Sequence, residues 1–234
     1  MMSSQGAAPA GQWMPIVPMP IVILISGRGS NMRVIAEAAA NGSLDVKVAA
    51  VVSDRAEAAG LALAAAMQIP TVCLSPRDYA DRPAYDAALA QVVAGFAPQL
   101  VVLAGFMRIL THNFIDPFAG RLLNIHPSLL PRHRGLHTHR RVLEAGETIH
   151  GASVHFVTEE LDGGPVIIQA SVEVRAQDDE SSLSARVQQL EHKIYVQAIE
   201  WYARGRLRWH GGGPWLDGEA LRQPKVVSAT STDM

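Results

Sequence analysis

The sequence predicts an α/β protein built on a doubly wound, mostly parallel sheet with an antiparallel extension toward its C-terminus. Three observations predict it. Short apolar runs rich in β-branched residues alternate with segments whose apolar residues recur at helical spacing, the pattern of parallel βαβ units. The first such run leads at once into a glycine-containing turn that opens a helix. A later pair of strand-like runs is separated by a tight Gly-Gly-Pro turn, which makes that pair antiparallel.

The elements follow in order. Ile21 to Ile25 is an unbroken apolar run, read as a buried parallel strand. The turn Ser26-Gly27-Arg28-Gly29-Ser30-Asn31 comes next, and Met32, Ile35, Ala36 and Ala39 then mark a helix starting just after Asn31, capped by Ser30 or Asn31. Its first N–H groups face an anion, and with Met32 where a third glycine would belong, the loop suits a single phosphate better than a pyrophosphate. Strands are expected at Val46 to Val52, Thr71 to Leu74, Leu100 to Leu103 and Leu122 to Ile125. Helices are expected at Ala56 to Gln68, Asp81 to Phe96 and, shorter, Asn113 to Phe118. Ala152 to Val157 and Val166 to Val174 form the antiparallel pair, and Leu183, Val187, Leu190, Ile194 and Ala198 trace one face of a long helix. Past Trp209 the pattern decays into a loosely ordered polar tail.

Composition narrows the function. A chain of 234 residues with 48% hydrophobic and 18% charged residues suits one globular domain with a sizeable core. A net charge of -2 gives no broad basic surface, so nucleic acid is not the expected partner. Cys73 is the only cysteine, which excludes an intrachain disulfide framework and a cysteine-rich zinc site and fits a reducing cytoplasm. No apolar run reaches the roughly 18 residues of a membrane helix. The stretch before about Pro20 has no Lys or Arg, unlike a secretory signal, and reads as a flexible leader.

The chemistry centres on LLNIHPSLLP, Leu122 to Pro131. On a strand, Asn124 and His126 share a face while Ile125 points away, and Pro127 ends the ladder. Open α/β sheets place ligands at such strand ends. Asp162 is fixed by the turn Gly163-Gly164-Pro165. An Asn, a His and an Asp held together suit acyl transfer to an amine supplied by a substrate: Asn and protonated His donate to an oxyanion, and a nearby carboxylate favours the imidazolium. No protein nucleophile is evident, and no Gly-x-Ser-x-Gly elbow occurs. His133, His137 and His139 lie among four arginines with no carboxylate in that stretch, so it reads as a mobile, partly solvated lid and not a metal site. Neither flavin nor nicotinamide is expected, because the dinucleotide fingerprint is incomplete.

Taken together, GRGSN, VVLAGFMRIL, RLLNIHPSLLP, GLHTHR and HGASVHFVTEELDGGPVI resemble the phosphoribosylglycinamide formyltransferase family, folate-dependent enzymes of purine synthesis, from about Ile21 to Leu216. The resemblance implies a Rossmann-like formyltransferase fold over residues 21–216, with a leader at 1–20 and a tail at 217–234. It implies that Asn124, His126 and Asp162 are catalytic and that 10-formyltetrahydrofolate is the co-substrate, with no metal. By the same resemblance, Gly29, Ser30 and Asn31 contact the ribonucleotide's phosphate, and Glu191 lies near its glycinamide and ribose. Met107, Arg108, Ile109 and Leu110, with Arg82, line the formyl-folate site; the pterin lies against the turn of Thr158, Glu159, Glu160, Leu161 and Asp162, near Asn124. The chain departs from the family at Pro131 to Gly135 and at Arg28, whose charge could assist phosphate binding. The alternatives are a formyl-folate hydrolase, which would usually carry an added regulatory domain, and a non-catalytic nucleotide-binding module, against which the intact trio argues. Small molecules are the expected partners, and the sequence leaves oligomeric state open.

Overall fold

The computed structural model describes residues 17–228. Its main sheet has eight strands. In chain order seven of them are β1 (Met19–Ile25), β2 (Val46–Ser53), β3 (Thr71–Cys73), β4 (Leu100–Leu103), β5 (Leu122–His126), β6 (Ile149–Phe156) and β7 (Val166–Glu173). The helices between and after them are α1 (Ser30–Ala40), α2 (Ala59–Ala66), α3 (Arg82–Gly95), α4 (His112–Ile115), α5 (Thr138–Glu144) and α6 (Glu180–Ala203). The chain then adds a small sheet of β8 (Leu207–His210), β9 (Gly213–Leu216) and β10 (Glu219–Ala220), and ends in β11 (Lys225–Ser228).

Across the main sheet the order is β11-β7-β6-β5-β4-β1-β2-β3. Every pairing is parallel except the two made by β6, which runs against both β5 and β7. Helices cover both faces, so the central strands are apolar on both sides. Ile21, Ile23 and Ile25 face a core shared with α1 and α6, while Val22 and Leu24 face a second one shared with α3 and α4. The winding reverses at β1, which lies between β4 and β2, and the loops leaving β1 and β4 diverge there. That crevice is where a doubly wound sheet takes its ligands.

Helix α6 holds the sheet together from one face. Asp179 caps it through a reciprocal box with Ser182, and Leu183, Val187, Leu190, Ile194 and Ala198 form its buried stripe. From the same face the Tyr195 hydroxyl reaches the carbonyls of Leu103 (2.9 Å) and Leu123 (3.0 Å), tying the helix to β4 and β5.

Several boundaries differ from the sequence expectation. Strand β1 begins at Met19, which pairs with Val46, so Met19 and Pro20 belong to the sheet and not to a leader; residues 1–16 lie outside the described residues. The α1 helix is capped by Gly29 in a left-handed conformation, and Ser30 and Asn31 sit inside its first turn without a side-chain cap. Helix α2 spans only Ala59 to Ala66 of its Ala- and Leu-rich run, and in its first turn the Gly60 N–H, which has no acceptor within the helix, donates to the Gly27 carbonyl at 3.0 Å. As far as Ser228, the expected loose tail past Trp209 instead forms the end of β8 and β9 to β11; residues 229–234 lie outside the described residues. Trp209 packs edge-on against Phe156 with ring centroids 5.0 Å apart, and β11 extends the main sheet beside β7. Among the described residues no helix is long and apolar enough to cross a membrane.

Candidate active site

Strand β5 presents Asn124 and His126 one strand step apart, and β6 supplies what faces them. Asn124 pairs in register with His155, and its Nδ2 lies 3.0 Å from His155 Nε2. His155 Nδ1 lies 2.8 Å from the Phe156 carbonyl, which can only accept, so that nitrogen carries the proton in the neutral ring. Nε2 is then an acceptor, and Asn124 must turn its NH2 toward it. Burial pushes His155 below the usual histidine range, against the opposing pull of the Phe156 carbonyl and of Asp162. One Asn124 N–H is thereby used for orientation and the other is left to donate.

Asp162 arrives from the turn after β6. Its Oδ2 stands 3.4 Å from His126 Nδ1 and accepts the Gly135 N–H at 2.8 Å, while its Oδ1 lies 3.8 Å from His155 Nε2. The turn is built for this aim. Asp162 has φ +48°, Gly163 N–H bonds the Glu160 carbonyl, and a Cβ on Gly164 would fall 1.8 Å from the Phe156 carbonyl oxygen. His126 is buried, and its Nε2 lies 3.0 Å from the His133 carbonyl. Both ring nitrogens therefore face acceptors, which an imidazolium with two N–H donors matches.

The segment expected to be a mobile lid is tied down at several points. Ser128 Oγ donates to the Arg132 carbonyl, Arg141 to the Arg134 carbonyl, and Arg134 pairs with Glu160. The carboxylate missing from this stretch comes from Glu147, whose Oε1 lies 2.7 Å from both His133 Nε2 and Arg132 Nη2. His139 is turned away, with Nδ1 3.0 Å from His150 Nε2. Burial lowers both of these histidines, His150 to about 4, with its neighbour His139 adding to the effect.

At the end of β1, the N–H groups of Ser30, Asn31 and Met32 precede the first bond of α1, which runs from Arg33 N–H to the Gly29 carbonyl. Helix α6 closes this loop from the far end of the chain. Asn31 Nδ2 donates to Glu191 Oε2 at 2.8 Å, and Gln188 Nε2 to Ser30 Oγ at 3.0 Å. Burial raises the Glu191 carboxyl, with Asn31's donation opposing it. Asn31 Oδ1 is buried without a partner among the described residues.

On the other side of Asn124 a cleft is walled by Arg108, Ile109 and Leu110, by the whole turn from Thr158 to Asp162, and by Asn124 and His155. Met107 is not part of that wall; it is 61% exposed, with its N–H taken by Ser26 Oγ. Arg82 stands farther out, exposed in the first turn of α3, so the structure does not bring its side chain to the cleft.

A model of the family described as "Formyl transferase" matches residues 19–199. The chain belongs to the formyl transferase family. This formyl transferase is 53% identical to the phosphoribosylglycinamide formyltransferase of Escherichia coli (strain K12), over 87% of this chain and 96% of that one. It is 39% identical to the human trifunctional purine biosynthetic protein adenosine-3, over 80% of this chain and 19% of that longer protein. Among solved structures it superposes on the phosphoribosylglycinamide formyltransferase of Coxiella burnetii with a TM-score of 0.86 at 44% identity, covering 89% of this chain and 99% of the other. For glycinamide ribonucleotide transformylase 1 of Symbiobacterium toebii the TM-score is 0.84 at 38% identity, covering 90% and 99%.

In this formyl transferase most of the residues singled out from sequence lie together, with Met107 and Arg82 standing apart from them. Asn124, His126 and Asp162 meet between the Gly29–Asn31 loop, which Glu191 closes, and the 108–110 and 158–162 walls. Sequence reasoning missed His155, Gln188 and Glu147. The signal for His155 was available: HGASVHF places it at strand alternation with Ser153, but only the β5–β6 register sets it opposite Asn124.

Proposed function

We propose that this chain transfers the formyl group of 10-formyltetrahydrofolate to the amine of 5'-phosphoribosylglycinamide, in de novo purine biosynthesis. The observation that carries the reading is the meeting of Asn124, His126 and Asp162 between a phosphate-type helix start and a cleft with free backbone. The N–H groups opening α1 suit a phosphate dianion, and Asn31 with Glu191 stands where the ribose and glycinamide would follow. In the cleft, the backbone N–H and C=O groups of residues 108–110 make no hydrogen bond among the described residues, so they can pair with the edge of a planar pterin. The turn from Thr158 to Asp162 forms the opposite wall. Met107 at the rim and Arg82 beyond it would meet only the part of the donor that projects outward.

The amine nitrogen attacks the formyl carbon, a C–N bond forms, and the carbonyl oxygen becomes an oxyanion. The free Asn124 N–H and the His126 imidazolium donate to it, and Asp162 offsets the ring's charge at 3.4 Å. Collapse breaks the bond from the formyl carbon to N10 of the folate; the amine gives up a proton and N10 gains one. In the arrangement seen here the His126 Nε2–H is directed at the His133 carbonyl, so a substrate oxyanion must take that carbonyl's place.

The test is to mix the protein with 10-formyltetrahydrofolate and follow tetrahydrofolate release with and without phosphoribosylglycinamide. Release only with the amine substrate is the expected result. Equal release without it would make the protein a hydrolase, and none in either case would make it a binding module.

A further inference from the structure

The segment 104–111, between β4 and α4, is pinned at its two ends and free between them. At its start, Ser26 N–H donates to the Gly105 carbonyl at 3.1 Å and Ser26 Oγ accepts the Met107 N–H at 2.9 Å. At its end, Thr111 N–H donates to Asp86 Oδ2 at 2.7 Å, and just beyond it Asn113 Nδ2 donates to the Pro83 carbonyl at 3.1 Å. Between the pins the backbone of 108–110 stays unpaired among the described residues, and the Arg108 guanidinium lies 4.8 Å from the centre of the Tyr85 ring.

Asp86 is an unexpected residue for its place. It is 0% exposed, beside Tyr85 and on a helix whose Leu89 and Val93 are equally buried. A buried carboxylate is costly, and what offsets that cost here is the backbone N–H it accepts. The only hydrogen bond the Asp86 side chain makes among the described residues is the one to Thr111; its Oδ1 is without a partner there.

We propose that Asp86 is a positioning residue for the formyl donor. Through Thr111 it fixes the far end of the wall, and so the distance and angle at which the 108–110 backbone meets a planar heterocycle. Tyr85 supports the same wall from below, by holding Arg108. This inference rests on the placement of the formyl-folate in that cleft.

Steady-state kinetics of the full chain test it, with each substrate varied at saturating concentrations of the other. Asp86→Ala leaves the Thr111 N–H unpaired and should raise the KM for 10-formyltetrahydrofolate about tenfold, with the KM for phosphoribosylglycinamide within about twofold of the original. Asp86→Asn retains an acceptor oxygen and should restore most of the loss, which a purely electrostatic role would not allow; Asp86→Leu fills the space without an acceptor and should not restore it, which a packing role would require. Asn113→Ala removes the partly exposed second tie without opening a core; it should raise the same KM about two- to threefold, so the inference stays testable if Asp86→Ala does not fold. Ile109→Asp, which alters the wall itself, separates the two failures. If Ile109→Asp raises the folate KM while the folded Asp86 variants and Asn113→Ala do not, positioning by Asp86 is wrong and the cleft assignment stands. If Ile109→Asp leaves the folate KM unchanged, the cleft assignment falls and this inference falls with it. Equal rises in both KM values for Asp86→Ala would also overturn it.

Discussion

Asn124 can donate to an oxyanion in only one of its two amide orientations, and a neighbouring strand decides which. His155 accepts one N–H because the Phe156 carbonyl holds its ring in a single tautomer. His155→Leu should therefore lower kcat about tenfold or more through a misaimed donor, with both KM values little changed. A variant with full kcat would show that Asn124 needs no such support. Asp162→Asn keeps the shape of the turn but loses the charge facing His126; kcat should fall about 10²–10³-fold, or roughly 3–4 kcal/mol, with little effect on the KM of the phosphate-bearing substrate. Near-normal turnover by this variant would remove Asp162 from the mechanism. At this scale the sequence was informative where the relation is local. Asn124 and His126 are two residues apart on one strand, and Asp162 sits in a glycine turn that can be read from the letters alone. Pairs such as Asn124–His155 and Asn31–Glu191 were out of reach as contacts, since strand register sets one and helix packing across 160 residues sets the other.

At the scale of elements, the phosphate-type loop depends on a helix that sequence reasoning did not connect to it. The loop rests on the first turn of α2: a Cβ on Gly29 would meet Gly60 Cα at 2.8 Å, and a Cβ on Gly60 would meet the buried Ile25 Cδ1 at 2.5 Å, Gly29 Cα at 3.1 Å and the Gly27 carbonyl at 3.2 Å. Replacing Gly29 would thus disturb packing and left-handed backbone together, so it is a poor probe of binding. Gly60→Ala keeps an ordinary backbone conformation and pushes on the loop from outside the ligand site, while the tip of Ile25 shifts to make room for the new methyl. It should raise the KM for phosphoribosylglycinamide about three- to tenfold and leave the KM for the formyl donor nearly unchanged. Equal changes in both would place the phosphate elsewhere. The long apolar strands and α6 were legible because their burial imposes an unmistakable period. Strands β8 to β11 were not, being two to four residues each and in part polar, so that pairing with neighbours and not their own pattern makes them strands.

Across the whole molecule, four histidines are held below their usual range, and burial is the leading cause in each: His139, His150, His155 and His192. In the unfolded chain each would take up a proton near the ordinary value of about 6.5. The folded chain resists that uptake until lower pH, so between these values the unfolded state binds more protons and folding stability must fall as pH falls. For His150, held at about 4, the full shift corresponds to roughly 3 kcal/mol once pH has dropped below both values. One group works in the opposite direction. Glu191 is raised by burial, so the folded chain protonates it before the unfolded chain does and recovers part of the loss near the lower end of the window. The carboxylates held low, Asp178, Asp179 and Asp217, lose their stabilising share only as pH falls through the ordinary aspartate value of 3.8 and below, under the histidine window. Urea unfolding at pH 7.5, 6, 5 and about 4.5 should therefore show a midpoint that falls steadily with acidification, with the slope set by histidine. His150→Gln should flatten that slope in proportion to its share, while changing the midpoint at pH 7.5 much less. A midpoint that stays level from pH 7 to 5, or a slope untouched in the His150 variant, would mean that the buried histidines protonate in place without cost.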